Sequence, residues 1–227
     1  MKLSVNFKPP CAMPNGLQCI DNEIFIMDQL TDNVFVIDQK GKIIRVINTI
    51  TENGSGITIG GGFLWTASNG RTKAREYRST DTHISWIYKL DLDSGEMIDR
   101  FPTPDGGGIH GIEWDDGKIW ITAFNPKALI LVDANNFKEI KKIPINQEVA
   151  HGLARVEDGI WCADRRAKEI IKYDVDNGNE LEKIKFPKDG PDPHGLSIDN
   201  KGTLWYCDAV HPPPTTRDFP EIGTIQK

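Results

Sequence analysis

The sequence of 227 residues predicts an all-β fold, a five-bladed β-propeller. Three observations support this prediction: a short phrase recurs five times, two apolar runs follow each copy, and long helical periodicity with capping residues is absent. In the phrase, a variable residue precedes a glycine and an aliphatic residue. Its copies are Pro14-Asn15-Gly16-Leu17, Gly54-Ser55-Gly56-Ile57, Ile109-His110-Gly111-Ile112, Ala150-His151-Gly152-Leu153 and Pro193-His194-Gly195-Leu196.

The spacing of the copies indicates propeller blades. The variable positions 15, 55, 110, 151 and 194 lie 40 to 55 residues apart, and a period of about 40–50 residues with several short strands is typical of blades. In each unit the first strand begins at the phrase, the second carries an aromatic residue, and the third usually ends in Asp. The fourth is a charged outer strand, which we predict at 42–47, 97–101, 139–145 and 181–186.

The last unit lacks a fourth strand after its third strand at 223–227. The N-terminal segment 1–9 resembles 181–187 in pattern and in its final Phe and Pro residues. We therefore predict that the N-terminal strand completes the last blade, which removes two free sheet edges. The whole chain, 1–227, is then one propeller domain.

Composition and charge exclude several classes of function. A net charge of −6 argues against a nucleic-acid partner, because phosphate binding needs a dense basic face. No apolar run approaches the roughly 20 residues of a membrane span, and the start lacks a signal-peptide core. The four cysteines show no close-paired metal spacing, so we expect reduced thiols in a cytoplasmic protein. The sequence leaves the oligomeric state open.

Two insertions interrupt the repeat between second and third strands, at 69–85 and 209–221. In a blade, the loop before the first strand and the loop after the second lie on the same face. Loops of this length in a compact domain are usually functional. We expect the insertions to form walls or a lid over the mouth of the central channel, on the face of the phrase residues.

The variable residue of the phrase is histidine in three consecutive units. Equivalent positions point toward the axis, so His110, His151 and His194 are expected to converge, with Asn15 from the next blade round the ring. Three imidazoles with an open position are typical of a catalytic divalent metal site. The alternatives are polar residues that line the channel without a metal, and a histidine that simply suits the turn at the strand entry.

A second column of residues ends the second strands: Asp28, Ser68, Ala123, Asp164 and Asp208. Its aspartates could orient histidine nitrogens or act as a general base, and we name Asp164 and Asp208 as catalytic candidates. A loop-capping role is the alternative. Tyr77 and His211, both in the insertions, are candidates for proton transfer.

Arginines cluster in the same loops of this acidic chain. They could form a cationic rim for a small ligand that carries a carboxylate or a phosphate. The candidates for substrate binding are Arg71, Arg75, Arg78, Arg165 and Arg217. The alternative is that they are ordinary exposed loop residues. The tryptophans of the second strands, such as Trp65 and Trp161, are expected to pack the blades.

The unit from Pro193 to Asp208, Pro-His-Gly-Leu-Ser-Ile-Asp-Asn-Lys-Gly-Thr-Leu-Trp-Tyr-Cys-Asp, resembles the repeat of the streptogramin (virginiamycin B) lyase-like propellers. It is also similar to the wider gluconolactonase and NHL-repeat superfamily. The resemblance implies a divalent metal at the residue before glycine, and a lactone opened by elimination with magnesium. This sequence has five units where those families have six, and aspartates where the lyases have a glutamate.

Two functions are consistent with these observations. The first is a metal-dependent enzyme, a lyase or a lactone or ester hydrolase, that acts on a small anionic molecule at the channel mouth. Its cofactor would be a divalent metal ion (Zn, Mn, Fe or Mg) held by the histidines. The second is a non-catalytic propeller that binds a ligand or a protein on the same face.

Overall fold

The computed structural model describes residues 2–72, 74–209 and 220–226. It contains twenty strands, β1 to β20, in five antiparallel sheets of four. The described residues contain no helix long and apolar enough to cross a membrane. Blade 1 has β2 (Pro14–Ile20), β3 (Glu23–Asp28), β4 (Asn33–Asp38) and β5 (Ile43–Asn48); blade 2 has β6 (Gly54–Gly60), β7 (Phe63–Ser68), β8 (Trp86–Asp91) and β9 (Met97–Pro102). Blade 3 has β10 (Ile112–Asp115), β11 (Lys118–Phe124), β12 (Lys127–Asp133) and β13 (Glu139–Pro144); blade 4 has β14 (Ala150–Val156), β15 (Gly159–Asp164), β16 (Glu169–Tyr173) and β17 (Glu180–Lys185).

Blade 5 combines the two ends of the chain. Its sheet order is β18 (Pro193–Ile198), β19 (Leu204–Asp208), β20 (Glu221–Gln226) and β1 (Lys2–Phe7). The strand β1 pairs antiparallel with β20, with Leu3 opposite Ile225. The prediction of an all-β, five-bladed propeller closed by the N-terminal strand is therefore confirmed, and the outer strands lie within about one residue of the predicted bounds.

The hydrophobic core consists of five clusters, most of which lie at the seams between neighbouring blades. The aromatic residue of each second strand belongs to one of these clusters, and Phe25, Trp65 and Trp120 are almost fully buried. The expected packing role of these residues is confirmed. All four cysteines are free thiols, three of them buried.

The first strands crowd the axis so closely that the phrase glycine is required. A methyl group built on Gly152 would lie 2.5 Å from the carbonyl oxygen of His194, and one on Gly195 would lie 2.6 Å from the amide nitrogen of Leu17. Only a glycine permits such an approach of one backbone to the next. The space left on the axis has a volume of about 10 Å³, which is room for one water molecule at most. The channel is therefore closed at this level, and its two mouths are separate.

Candidate functional site

The structure brings the three histidines of the phrase together at one mouth of the channel. His151 lies in β14, His194 lies in β18, and His110 precedes β10 by two residues. The ring centroids of His110 and His151 are 4.1 Å apart with the rings tilted by 32°, and those of His151 and His194 are 4.9 Å apart in an edge-on arrangement. The imidazoles of three consecutive blades thus form one continuous cluster.

Backbone carbonyl groups orient two of these rings. The Nδ1 atom of His151 lies 3.1 Å from the carbonyl oxygen of Val149, and Nδ1 of His194 lies 2.8 Å from that of Asp192. With Nδ1–H donating to the carbonyl in His151, the lone pair of that ring is on Nε2. The Nδ1 atom of His110 is buried and has no hydrogen-bond partner among the described residues.

Two of these imidazoles are neutral. The pKa of His110 is lowered to about 3 by burial, with the nearby His194 and Arg165 acting in the same direction. Burial also lowers the pKa of His151 well below its usual value, with His110 and His194 as the next causes. Protonating either ring would place a cation in a poorly solvated site beside other basic groups. Both rings are therefore neutral at pH 7.

The histidines line a cavity of about 630 Å³ that opens at this mouth. A volume of this size lies within the range of small-molecule sites. Four of its other wall residues lie at or directly after the end of the second strand of four blades. These residues are Gln29, Asn69, Phe124 and Arg165.

Most of these wall residues are not among the candidates predicted from the sequence, although the sequence contains a signal for them. Gln29, Asn69 and Phe124 each stand one position after the column of Asp28, Ser68 and Ala123. The prediction concerns the carboxylates of this column, whereas the residues that line the cavity are their C-terminal neighbours. Thr72, from the first insertion, also lines the cavity.

Asn15 occupies the position of the histidines in blade 1 and also lines the cavity. Its Nδ2 atom donates to Oε1 of Gln29 at 2.5 Å, and its Oδ1 atom is buried without a partner among the described residues. Ser55, the equivalent residue of blade 2, donates to the carbonyl of Ile109 and is fully buried. Four of the five variable residues thus face the cavity, and the fifth fastens blade 2 to blade 3.

The aspartate column caps loops. The carboxylate of Asp28 accepts hydrogen bonds from the amides of Met13, before the first strand, and Thr31, after the second. Asp164 accepts from the amides of Glu148 and Arg166 in the same way.

Asp208 accepts from the amide of Asp192, two residues before His194. Neither Asp164 nor Asp208 is among the residues that line the described cavity. Both carboxylates thus have the loop-capping role that the sequence leaves open, and a role as general base stays a prediction. They act on the histidines through the backbone that precedes them.

The arginine candidates separate into two groups. Arg165 lines the cavity, and burial lowers the pKa of its guanidinium, against the opposing effect of Asp192 and Asp164. Arg75 is buried in ion pairs with Asp32 at 2.7 Å and Asp81 at 2.8 Å.

Arg78 lies 3.1 Å from the same Asp32 carboxylate. Neither Arg75 nor Arg78 is part of the described cavity wall. They fasten the first insertion to blade 1, and a contact with substrate stays a prediction. Arg71 is exposed.

The remaining candidates lie away from the histidines or outside the description. Tyr77 is 48 % exposed and packs edge-on against His83, with ring centroids 4.4 Å apart. It is not a residue of the described cavity wall, which places its expected proton-transfer role away from the imidazoles. His211 and Arg217 lie outside the described residues.

The donor atoms suit a divalent metal, but their arrangement does not. Neutral imidazole nitrogens are common metal ligands. Within the described ranges, however, no group of three His, Cys, Asp or Glu side chains is arranged to hold a metal ion. The rings of His110 and His151 instead pack against each other at 4.1 Å. A metal held by His110, His151, His194 and Asn15 stays a prediction that this arrangement does not support.

Comparison with known proteins supports the fold. No protein-family model and no curated protein sequence matches the chain. Among solved structures, it is similar to a glutaminyl cyclase from Myxococcus xanthus, with a TM-score of 0.65, 12% sequence identity and coverage of 99% of this chain and 97% of that one.

A protein of unknown function from Bacteroides caccae has a TM-score of 0.56 at 14% identity, with coverage of 86% of this chain and 70% of that one. The WD40 β-propeller domain of Doa1 has the same TM-score at 11% identity, with coverage of 93% and 63%. At these identities the likeness shows the five-bladed propeller fold alone. Membership of the streptogramin lyase-like superfamily stays a prediction.

Proposed function

We propose that this protein is an enzyme that acts on a small anionic molecule in the histidine-lined cavity, by proton transfer at a carbonyl compound. The observation that supports this proposal is the cluster of imidazoles, of which at least His110 and His151 are neutral, in one cavity. A neutral imidazole accepts a proton, as a general base requires. Hydrolysis of a lactone or an ester and elimination of a carboxylate both need this step.

The orientation of His151 supports a role as the base. Its Nδ1 atom is held at the carbonyl of Val149, so Nε2 carries the lone pair that takes a proton from water or from a carbon next to the carbonyl. Arg165 stands at the same cavity and stabilises negative charge that develops on the substrate oxygen. In the transition state His151 thus accepts the proton, while Arg165 stabilises the negative charge on the substrate oxygen.

An anionic substrate makes this base stronger. The pKa of His151 is lowered by burial and by its basic neighbours, so in the ligand-free cavity the ring is a weak base. A bound carboxylate or phosphate beside Arg165 offsets this effect and raises the pKa of the imidazole toward the working pH. Substrate binding then couples to the proton transfer.

The structural neighbour supports catalysis only in general terms. A propeller that matches almost the whole chain carries the name glutaminyl cyclase, so a propeller of this size is compatible with an enzyme. At 12% identity its substrate does not transfer. A peptide with an N-terminal glutamine therefore enters the experiment as one compound of a panel.

A second candidate is a binding protein without catalysis. His151 contacts the backbone, and Asp28 and Asp164 cap loops. These structural roles of the histidine and of the aspartates need no reaction. In this case the same cavity binds an anionic ligand without turnover. Measurement with and without a chelator tests for a metal ion in either case.

The experiment is a turnover assay on a panel of small lactones, esters and anionic carbonyl compounds, together with an N-terminal glutaminyl peptide, with and without a chelator. We expect turnover of at least one compound, lowered about 100-fold in His151→Ala, in keeping with loss of a general base. The matched control is His83→Ala, which removes a histidine outside the described cavity wall. His151→Asn repeats the test in a variant that keeps a donor for the Val149 carbonyl. Two results contradict the proposal. One is that compounds of the panel bind in calorimetry but are not turned over, and the other is that His151→Ala and His151→Asn turn over as fast as wild type.

A further inference from the structure

Lys168, in the turn between β15 and β16, contacts the segment 188–192 that joins blade 4 to blade 5. Its Nζ atom donates to the carbonyl oxygens of Lys188 at 2.9 Å and Gly190 at 2.7 Å, and it lies 3.0 Å from Oδ1 of Asp192. The side chain of Lys168 is only 16 % exposed. An ammonium group has three protons, and this segment offers three acceptors to them.

The last residue of this segment, Asp192, orients His194. The carbonyl oxygen of Asp192 lies 2.8 Å from Nδ1 of the imidazole. The same residue is held at two other places, because its amide donates to Asp208 at 3.1 Å and its carboxylate pairs with Lys168. The position of the Asp192 carbonyl is therefore fixed by side chains of blades 4 and 5.

A second backbone group competes for Nδ1 of His194. The amide nitrogen of Ala209 lies 3.3 Å from this atom, with its N–H directed at it. In a neutral imidazole, Nδ1 either donates its proton to the carbonyl of Asp192 or accepts the proton of Ala209. The shorter contact decides, because two lone pairs facing each other at 2.8 Å repel. Nδ1 of His194 therefore carries the proton, and the lone pair is on Nε2.

His151 in blade 4 is not subject to this competition. Arg165 stands at the position of Ala209, directly after the second strand, and its amide donates to the carbonyl of Val149 at 3.4 Å. That carbonyl is the one 3.1 Å from Nδ1 of His151. In blade 4 this amide thus bonds the carbonyl, whereas in blade 5 it is directed at the ring. The tautomer of His194 therefore depends on how closely the carbonyl of Asp192 is held.

We infer that Lys168 is a positioning residue, which holds the Asp192 carbonyl at Nδ1 of His194 and so keeps the lone pair of this ring on Nε2. Without the ammonium group, the segment 188–192 loses three contacts and the carbonyl withdraws. The amide of Ala209 then becomes the partner of Nδ1, and the proton moves to Nε2. The consequence for catalysis rests on the proposed function, whereas the consequence for the ring does not.

The tautomer of His194 in Lys168→Met tests this inference. The ring nitrogen shifts are measured at pH 8 in the full chain, labelled with ¹⁵N at histidine. We expect Nδ1 of His194 to change from the shift of a protonated nitrogen in wild type to that of an unprotonated one in the variant. His151 is expected to keep its wild-type shifts. An unchanged tautomer of His194 in Lys168→Met, or a wild-type ring with its proton on Nε2, overturns the inference.

The pseudo-symmetry of the propeller supplies the matched control, Lys127→Met. The carbonyl of Lys127 accepts from the amide of Ile145 in blade 3, as that of Lys168 accepts from Phe186 in blade 4. The side chain of Lys127, however, is exposed. This variant is expected to leave all histidine shifts as in wild type. A change of the His194 tautomer in Lys127→Met equal to that in Lys168→Met would contradict a specific role of Lys168.

Asp192→Asn is the second variant, should Lys168→Met not fold. It keeps the backbone carbonyl and removes the ion pair with Lys168. We expect the His194 tautomer to shift in the same direction as in Lys168→Met. A ring that keeps its wild-type tautomer in Asp192→Asn counts against the inference in the same way.

Turnover separates this inference from the proposed function. With a compound that wild type turns over, kcat is expected to fall roughly tenfold or more in Lys168→Met, because the wrong tautomer removes an acceptor nitrogen. Lys127→Met is expected to keep the wild-type kcat. Absence of turnover in wild type contradicts the proposed function and leaves the result for the ring standing. A shifted tautomer with unchanged kcat contradicts a role of His194 in the reaction.

Discussion

The carboxyl group of Glu113 in blade 3 accepts a hydrogen bond from the backbone amide of Arg155 in blade 4, with 3.1 Å between Oε1 and nitrogen. Glu113 stands three residues after His110, and equivalent positions in three other blades are polar. These residues form a hydrogen-bonded belt around the axis. Thr58 donates to Gln18 at 2.9 Å, and Gln18 donates to Ser197 at 3.2 Å.

Burial favours the protonated form of Glu113 in this belt. The Thr58 hydroxyl has a single proton; it donates to Gln18 at 2.9 Å and lies 3.4 Å from Oε2 of Glu113, so it can stabilise a Glu113 carboxylate only weakly. The pKa of Glu113 is raised to about 8, chiefly by burial and to a smaller extent by Asp115, against the opposing effects of the Arg155 amide, the Thr58 hydroxyl and the Arg155 side chain.

Glu113→Gln is predicted to remove a pH dependence of stability. Between the ordinary carboxyl pKa of 4.5 and about 8, the folded protein holds a proton that the unfolded chain has released. The stability that Glu113 contributes is fully present below pH 4.5 and is lost as the pH rises to about 8. The free energy of unfolding of wild type, relative to Glu113→Gln, is expected to fall by up to roughly 1.4 kcal/mol per pH unit between pH 5 and 7.5.

Urea unfolding of both proteins across this range is the measurement. Asp116→Asn, at an exposed turn nearby, is the control and is expected to follow the wild-type curve. Parallel curves for wild type and Glu113→Gln would show that Glu113 is ionised in the folded protein.

Gly152→Ala is predicted to destabilise the propeller severely. The added methyl group would lie 2.5 Å from the His194 carbonyl oxygen, and the backbone of blade 5 has no room to withdraw. We expect a loss of about 3 kcal/mol or more in the free energy of unfolding, measured by chemical denaturation. Gly107→Ala is the control, since its methyl group would meet nothing closer than 3.4 Å. A Gly152→Ala protein as stable as this control would contradict the close packing at the axis.

Deletion of residues 2–8 is predicted to abolish cooperative folding. The deletion removes β1, leaves β20 as an unpaired edge and exposes the cluster against which Leu3 packs. Far-ultraviolet circular dichroism during heating is the measurement. Val5→Thr, at a 55 % exposed position of the same strand, is expected to melt like wild type. A soluble truncated protein with an unchanged melting temperature would show that β1 does not close the ring.

The repeat allowed the blades and the closure of the ring to be predicted, because one phrase marks the first strand and the aromatic residue marks the second. The convergence of His110, His151 and His194 also follows from their equivalent positions. The partners of charged side chains do not follow from periodicity. Arg75 and Asp32 are far apart in the sequence and meet only because the first insertion folds back on blade 1.

The capping role of Asp164 depends on which backbone amides turn toward its carboxylate, and a residue pattern does not give this geometry. For the same reason, the residue pattern does not predict Phe124 and Gln29 as cavity residues. Each lies one residue after the column that contains Asp28 and Ala123, at the end of a strand, where the direction of the side chain also depends on the loop that follows.

The most direct test of the account is the protonation state of the imidazoles. In protein labelled with ¹⁵N at histidine, the ring nitrogen shifts of His110 and His151 are followed from pH 8 to pH 4. Because burial and mutual repulsion lower both pKa values, we predict that His110 and His151 are both still neutral at pH 5. Titration of both rings near the ordinary histidine pKa of about 6.5 would show that they are solvated and apart, and would contradict a shared cavity of neutral bases.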